Sequence, residues 1–507
     1  MRVLAAVLVA AVSLCGCSVV GNAAEGGGAA SPKPRHPNVV LIVFDEFSGD
    51  ILLGPNGKID AGRYPNFAAL AHDGTWFRNA QTRYDSTTKA VPLILDGIAP
   101  QRGTSPTVRD HPHSIFTALG RAGYRIVTSE EATAMCPARY CPQERGRRPA
   151  IIPNLKGGRE ERFEHFVGTI HASARPTFWM KHALLPHGPW VYLPDGRLSR
   201  PEGPELLPGM QTIPGFYDDY LTHHNQQRQL LQLGFADRLL GRVVARLKSQ
   251  GMYDDTMIVV TADHGFAWQV GVPTRRSISL SNVHELGPVP LIVKRPGRPA
   301  RHVNPSLART LDVTPTIADV LSVPLGYRSD GRSAFSRAVR ARRTVSIVKR
   351  DFSEVVRLSA RRWEARRAAV VRRRLRELGS GDWASLFTAF GPHRGLIGRQ
   401  VADVRSATQA RATLSLARSY AHVRRASGVV PTQVAGRIRG PGPNQERDIA
   451  IAVNGRIAAV GRSFHLRGQA LESYSVMVPE DSLREGRNRI EVLEVSDSGR
   501  MALLARS

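Results

Sequence analysis

The chain has 507 residues, which is too long for one ordinary domain and favours about two to four. Its net charge of +27 indicates an anionic partner, such as an acidic polymer or an anionic membrane surface. Nucleic acid is excluded as a partner, because the arginines that carry most of this charge are scattered along the chain and accompany no nucleic-acid-binding motif.

The N-terminal residues predict an export signal. Arg2 precedes the apolar segment Val3–Leu14, which is too short to remain as a membrane-spanning helix. The segment ends in Leu14-Cys15-Gly16-Cys17, which resembles a bacterial lipobox, so we expect a lipid on Cys17. That lipid would anchor the protein on the extracytoplasmic face of a bacterial cell membrane. The alternative is an ordinary secretory signal in which the cysteine has no role. Residues 18–36 are rich in Gly, Ala, Ser and Pro and predict a flexible linker.

The first element after the linker is a strand. Six successive apolar residues, 39–44, predict a strand that is buried on both faces of a parallel sheet. Asp45 and Glu46 follow it directly. Because ligands bind beyond the carboxyl ends of the strands in an open α/β sheet, we expect these carboxylates to hold a metal or a substrate. A solvated acidic turn is the alternative.

Helices and strands then alternate, which predicts an α/β fold with a mostly parallel sheet. Ser86 and Thr87 precede an apolar run that ends at Gly97, as hydroxyl residues do at the N-terminus of a helix. Cys136 and Cys141 are close in sequence and, in an exported protein, predict a disulfide. The other predicted elements are helices at 64–74, 113–121 and 226–249 and strands at 124–129 and 176–185.

A second buried strand repeats the pattern of the first. Residues 257–262 are mostly apolar, and Asp263 and His264 follow them. Two strands that each end in metal-type ligands favour one binding site over two solvated turns. A strand at 288–293 and a helix at 311–321 complete this part of the chain.

The last third of the chain changes character twice. From 350 to 378, arginines alternate with Val and Ala, which predicts a basic helix with a solvated charged face. The alternative is an amphipathic helix that lies on anionic lipid head groups. Beyond Val429 the pattern is alternating β, and Asn454-Gly455 between two such runs predicts a hairpin. We expect a small β-sandwich there.

Four motifs, in this order along the chain, resemble the sulfatase-like members of the alkaline phosphatase superfamily. They are Asp45-Glu46 after the first strand, a hydroxyl residue ten positions before Gly97, Pro186-His187-Gly188-Pro189, and Thr261-Ala262-Asp263-His264-Gly265. The resemblance extends from Pro37 to Ser333. It implies an enzyme of that superfamily with a three-layer αβα sandwich.

The resemblance also implies a metal site. Asp45, Glu46, Asp263 and His264 would bind one divalent ion, and Ca²⁺, Mg²⁺, Mn²⁺ and Zn²⁺ all suit such ligands. A second ion would need a further Asp and a further His. His224 and His284 are present, but their spacing does not match, so we expect one ion.

The nucleophile position departs from the sulfatase pattern. Sulfatases carry Cys or Ser in Cys-x-Pro-x-Arg, which is oxidised to formylglycine, whereas this chain has Thr87 and lacks both the Pro and the Arg. The phosphodiesterase, phosphoethanolamine transferase and lipoteichoic acid synthase branches use an unmodified Thr there. A Thr at a helix N-terminus beside a dication would be an activated nucleophile. The alternative is that Thr87 only caps its helix, with Ser86 and Thr88 as competing hydroxyls.

Further basic residues would contact the substrate. His187 matches the histidine that binds the transferred group or protonates the leaving oxygen in this family. By looser analogy, Lys181, Arg276 and His284 would neutralise charge on the substrate.

These expectations divide the chain into five parts. They are a lipoprotein signal at 1–17, a linker at 18–36, a sulfatase-like catalytic domain at 37–345, a basic helical region at 346–428 and a β-rich accessory domain at 429–507. The expected function is metal-dependent hydrolysis or transfer of phosphate or sulfate esters of an anionic envelope lipid or polymer, outside the cytoplasm and through Thr87. The alternative is a catalytically degenerate protein of this fold that binds an anionic envelope glycan. The presence of all four ligands and a hydroxyl favours the enzyme, because buried charges without partners are costly.

Overall fold

The computed structural model describes residues 36–201, 217–271, 277–297, 299–401, 404, 407–440, 446–466 and 469–506. The predicted lipid site Cys17 and the predicted substrate ligand Arg276 lie outside these residues. Residues 34–507 form one compact unit. Among the described helices, none has the length and apolar composition needed to cross a membrane.

A seven-stranded sheet forms the centre of the N-terminal part. Its strands are β1 (Asn38–Asp45), β2 (Thr75–Phe77), β3 (Arg125–Ser129), β4 (Thr177–Pro186), β5 (Thr256–Ala262), β6 (Leu291–Lys294) and β7 (His302–Asn304). They lie in the order β3-β4-β1-β5-β6-β2-β7, and β6 is antiparallel to both of its neighbours while the other pairs are parallel. Every residue of β1 is buried, as its apolar run predicts for a central parallel strand.

The described residues form twelve α-helices, and several of them pack on this sheet. They are α1 (Pro65–Asp73), α2 (Thr87–Asp96), α3 (Ile115–Arg121), α4 (Ile151–Leu155), α5 (Arg159–Gly168), α6 (Asp219–Ser249), α7 (Val283–Leu286), α8 (Val313–Leu321), α9 (Arg337–Arg340), α10 (Ala360–Leu378), α11 (Ala384–Thr388) and α12 (Ala417–Ala421). One group, α1, α5 and α6, packs together, and a second group consists of α2, α3 and α8. The predicted αβα sandwich with a mostly parallel sheet is therefore confirmed.

The basic segment differs from the prediction. Its first part forms a strand pair, β8 (Thr344–Val348) with β9 (Val355–Ser359), and the helix α10 begins only at Ala360. One side of α10 is not solvated, because Trp363, Arg367, Arg374 and Leu378 are all buried. The two buried guanidinium groups are compatible with this position because both donate hydrogen bonds into the fold.

The C-terminal strands form a closed barrel, whereas the sequence predicts a small β-sandwich. The strands are β10 (Ala407–Leu414), β11 (Gln433–Arg439), β12 (Asp448–Val453), β13 (Arg456–His465), β14 (Glu472–Met477), β15 (Ile490–Val495) and β16 (Met501–Arg506). The order is β10-β11-β14-β13-β12-β15-β16, and the parallel pairing of β10 with β16 closes the sheet. The predicted hairpin is confirmed, since Asn454 and Gly455 connect β12 to β13 with φ values of 52° and 84°.

Candidate active site

The carboxyl ends of two neighbouring strands bring the predicted acidic residues together. β1 lies between β4 and β5, so Asp45 at the end of β1 and Asp263 after β5 reach the same edge of the sheet. The backbone N–H groups of Glu46 and His264 donate to Asp263 Oδ1 over 3.1 and 2.6 Å. Asp263 Oδ2 accepts no hydrogen bond from the described residues. One oxygen of Asp263 therefore holds the two strand ends together, and the other remains available for a ligand.

The backbone at Glu46 supports a functional role for this edge. Glu46 is completely buried and has a φ of 56°, which a residue with a side chain adopts rarely. Such a conformation persists only where the surrounding structure enforces it, and it is found most often at functional sites.

Thr87 lies beside these carboxylates at the first position of α2. Its Oγ1 is 3.5 Å from Asp45 Oδ2 and 3.4 Å from His264 Nε2, and the side chain is buried. His264 Nδ1 is 2.8 Å from the carbonyl oxygen of Gly265. A carbonyl only accepts, so Nδ1 carries the proton and Nε2 presents a lone pair towards Thr87. The Thr87 hydroxyl is thus surrounded by acceptors.

His187 lies on the Glu46 side of the site. Its Nε2 is 3.5 Å from Glu46 Oε1, and its Nδ1 donates to the Gly188 carbonyl over 2.5 Å. Arg159 and Gln232 donate to the carbonyl oxygen of His187, each over 2.8 Å. These buried donors fix the backbone of the Pro-His-Gly-Pro segment, so the imidazole is held in one place.

The structure adds one residue that the sequence analysis does not assign. His182 on β4 pairs in register with Val43 of β1, and its Nε2 is 3.8 Å from Asp45 Oδ2. Asp45, His182 and Asp263 are all buried and offer ligand atoms within 4.8 Å of one another. Neither ring nitrogen of His182 has a hydrogen-bond partner among the described residues. Burial lowers the pKa of His182 to about 3, so the ring is neutral and can act as a ligand.

The charges and lone pairs of these residues suit the expected metal. Burial, with the charge of Glu46, raises the pKa of Asp263 well above its usual value, because a second carboxylate is unfavourable in this buried setting. The Nε2 lone pair of His264 also faces Asp263 Oδ2 over 3.4 Å, acceptor against acceptor. A cation between such groups removes both penalties, and carboxylate oxygens with imidazole nitrogen suit a divalent ion. The residues present fit a divalent metal, and they do not distinguish among Ca²⁺, Mg²⁺, Mn²⁺ and Zn²⁺.

The remaining predicted residues lie elsewhere or make other contacts. Lys181 Nζ donates to Glu131 Oε1 over 2.5 Å and to Ser129 Oγ over 3.0 Å, so its charge is compensated within the fold. His284 Nε2 is 3.9 Å from Glu285 Oε1. No described hydrogen bond or ion pair joins Lys181 or His284 to Asp45, Glu46 or Asp263. Their substrate roles stay predictions.

The two cysteines and His224 make structural contacts away from the site. Cys136 and Cys141 form a disulfide with a Cα–Cα distance of 6.0 Å, as predicted. His224 is buried on α6, where its Nε2 is 2.9 Å from Ser475 Oγ of the barrel. This contact gives His224 a structural partner far along the chain.

Comparison with known proteins places the chain in a family. The family model described as Sulfatase matches residues 37–323, more than half of the chain. The chain belongs to the sulfatase family. In this sulfatase-family protein the matched segment includes Asp45, Glu46, Thr87, Asp263 and His264.

Individual relatives are distant. The choline-sulfatase of Rhizobium meliloti is 22% identical over 357 residues, which cover 57% of this chain and 68% of that protein. The extracellular sulfatase SULF-1 homolog of Drosophila melanogaster is 26% identical over 245 residues, covering 47% of this chain but only 20% of its own length. Among solved structures, a phosphonate monoester hydrolase from Silicibacter pomeroyi is similar with 21% identity and a TM-score of 0.44, covering 61% of this chain and 79% of that one.

Proposed function

We propose that this sulfatase-family protein is a metal-dependent ester hydrolase or transferase whose nucleophile is the hydroxyl of Thr87. The observation that carries the proposal is the position of Thr87 Oγ1, 3.5 Å from Asp45 Oδ2 and 3.4 Å from His264 Nε2 at the start of a buried helix. A nucleophile must lie within hydrogen-bond reach of a group that can take its proton or stabilise its anion. Thr87 meets this condition without any modification of its side chain.

Each residue of the site has a role in this proposal. Thr87 Oγ1 attacks the phosphorus or sulfur of the ester, and its proton passes to the Asp45 carboxylate, because a carboxylate has lone pairs beyond the one that an ion would use. The N-terminal end of α2 favours the negative charge that then develops on Oγ1. His187, whose backbone is fixed by Arg159 and Gln232, protonates the oxygen of the leaving alcohol through Nε2, because its Nδ1 donates to the Gly188 carbonyl. Water or a second alcohol then releases the group from Thr87.

The metal has a defined place in this scheme. Asp45, Asp263 and His264, with Glu46 and His182 beside them, would hold one divalent ion. When bound, the ion supplies a positive charge that stabilises the Thr87 alkoxide and the anionic oxygens of the ester. The chain's own contribution is to orient these ligands, and Asp263 Oδ1 does so by accepting the N–H groups of both strand ends.

Phosphate esters are the proposed substrates in preference to sulfate esters. A formylglycine sulfatase needs an oxidisable Cys or Ser and an arginine four residues later. Here those positions hold Thr87 and Val91, and the Val91 side chain is buried. We further propose that the ester belongs to an anionic lipid or polymer of the cell envelope, and that Cys17 anchors the protein outside the cytoplasm. These two points rest on the charge of +27 and on the sequence of the first 17 residues.

The test is a comparison of Thr87 with its neighbour. Thr87→Ala should remove nearly all turnover of phosphodiester, phosphomonoester or sulfate-ester substrates and leave metal content unchanged, while Thr87→Ser should keep part of it. Thr88→Ala is the matched control, because Thr88 is half-buried on the same turn, and it should keep activity. Protein trapped with a phosphate ester at low pH should carry phosphate on Thr87 by mass spectrometry. Turnover that survives Thr87→Ala would contradict the proposal, and binding of anionic glycan without any turnover would support a degenerate binding protein.

A further inference from the structure

We infer that the solvent-facing side of α10, together with the loop side chains Val270 and Leu280, is a surface that binds the anionic head groups of a membrane. The inference deepens the proposed function and rests on it in one respect: the surface would bring the active site to an ester carried by a membrane lipid. The binding itself can be tested without any turnover.

The helix is attached to the fold through one face only. Its buried residues, Trp363, Arg367, Arg374 and Leu378, are spaced by four, seven and four positions, which places them along one side of the helix. Arg367 pairs with Asp50, and Arg374 donates to the carbonyl oxygens of Ile51 and Leu53. These bonds fix the rotation of α10 about its own axis, so the opposite face of the helix has a fixed orientation.

The opposite face is strongly basic. The 19 residues of α10 include eight arginines and two glutamates. Two of the arginines are buried and hydrogen-bonded, so six remain for the outer side. Arg361, Arg362, Arg372 and Arg376 are exposed. Charge complementarity favours an anionic partner, and each basic residue at an anionic lipid surface adds substantially to binding.

Apolar side chains beside this helix favour a membrane over a soluble polyanion. Leu280 is 54% exposed and Val270 is 46% exposed, so both side chains present apolar surface to the solvent. Leu280 lies next to α10, because Arg366 donates to its carbonyl oxygen, and Val270 comes two residues after Trp268, whose carbonyl oxygen accepts from Arg373 over 3.4 Å. Arginines with flanking apolar side chains match the boundary between head groups and acyl chains. A soluble polyphosphate has no apolar groups that could contact Val270 and Leu280.

A groove of about 500 Å³ on the other flank of α10 continues this surface. Leu53, Pro55, Val371 and Leu375 form much of its apolar lining, and the exposed Arg372 also lines it. Asp50, Arg78, Glu364 and Arg367 also line the groove, so it presents charged as well as apolar side chains beside the exposed arginines.

The surface is connected to the active site by a short series of contacts. Arg373 contacts the carbonyl oxygen of Trp268, whose indole N–H donates to Gln229 Oε1 over 3.0 Å. Gln229 Nε2 in turn donates to the carbonyl oxygen of Glu46 over 3.2 Å. Through Trp268 and Gln229, α10 is therefore linked to the end of β1, where the predicted ligands Asp45 and Glu46 lie.

The experiment measures partition of the full chain onto vesicles. Cys17→Ser is present in every sample, so that a lipid on Cys17 cannot contribute. The test variant changes Arg361, Arg362, Arg372 and Arg376 to Gln. The matched control changes four exposed arginines of the barrel and its neighbouring loops, Arg411, Arg418, Arg424 and Arg487, to Gln, and so removes the same charge. Vesicles contain phosphatidylcholine alone or with phosphatidylglycerol, and soluble polyphosphate is tested in parallel.

We expect the test variant to lose about 30-fold to 1,000-fold in partition onto phosphatidylglycerol vesicles at low salt, and the control variant to lose less than about threefold. Leu280→Ser should weaken vesicle binding and leave polyphosphate binding unchanged. Equal losses in the two arginine variants would overturn the inference, because the effect would then be net charge alone. Binding of polyphosphate with no binding to vesicles would also overturn it. Turnover of a soluble ester is measured separately, so absence of activity in all variants would contradict the proposed function and not the membrane surface.

Discussion

The ion pair between Arg367 and Asp50 allows a sharp test of how α10 is held. Arg367 donates to the two carboxylate oxygens of Asp50 over 2.8 and 2.6 Å and to Asn79 Oδ1 over 2.8 Å. The two charged side chains are only 8% and 5% exposed. Arg367→Gln removes the charge and the fork of donors, and leaves the Asp50 carboxylate buried with no cation against it.

The size of the effect follows from the burial of the pair. Two unit charges about 4 Å apart at an effective dielectric constant of about 20 attract by about 4 kcal/mol. Removing one partner of a buried pair costs about 3–5 kcal/mol, because the other charge stays desolvated. We therefore expect Arg367→Gln to lower the free energy of unfolding by about 3–5 kcal/mol. The double variant Asp50→Asn/Arg367→Gln buries no charge and should lose clearly less than Arg367→Gln, because replacing both members of a buried pair is often close to neutral.

Urea unfolding measures these losses, and native-state hydrogen exchange of the α10 amides adds a local measurement, since a chain of this length need not unfold in one step. Arg376→Gln is the control, because its side chain is exposed, and should stay within about 0.5 kcal/mol of the parent. The reasoning is refuted if the double variant is as unstable as Arg367→Gln, since the loss would then come from packing and not from an uncompensated charge.

Three further predictions concern other parts of the chain. Asp263→Ala should abolish stoichiometric binding of a divalent ion, measured by elemental analysis after dialysis, and unchanged metal content would remove Asp263 from the site. Burial raises the pKa of Asp237 to about 6, above its unfolded value of 3.8, so the folded protein holds this proton more tightly. Stability from this group is full below about pH 4 and falls by up to about 3 kcal/mol as pH rises through 6, and Asp237→Asn should flatten that part of the unfolding profile. Cys17→Ser should release the protein from bacterial membranes, as followed by fractionation, and full retention would count against the lipid anchor.

Local sequence pattern was sufficient for the elements that position the site. β1 contains a continuous apolar run and β5 is mostly apolar. Short apolar runs of this kind are typical of strands that are buried on both faces of a parallel sheet. The polar residues that follow them are easily seen against this background. The Asn454-Gly455 turn is similarly local, because both residues accept a positive φ.

Residues whose role depends on distant partners could not be predicted in this way. His182 reads as an interruption of an apolar strand until the register places it opposite Val43, beside Asp45. Arg367 reads as one of many solvated arginines, because its partner Asp50 is 317 residues away. The barrel depends in the same way on the pairing of β10 with β16, and alternating strands alone do not distinguish closure from two packed sheets.

The residues that follow Thr87 explain how a chain of the sulfatase family can lack the formylglycine motif. The motif that generates formylglycine needs a proline two residues after the nucleophile and an arginine two residues later, and these positions here hold Lys89 and Val91. Lys89 Nζ donates to the Gln101 carbonyl over 2.7 Å and to Thr104 Oγ1 over 2.6 Å, so it secures a neighbouring loop. Val91 is fully buried in the core. Both positions therefore serve the fold, and the acceptors within reach of Thr87 come instead from the strand ends, through Asp45 and His264. A hydroxyl in this setting needs only a proton acceptor and a cation to become a nucleophile, which is why we propose Thr87 itself as the nucleophile and phosphate esters as the substrates.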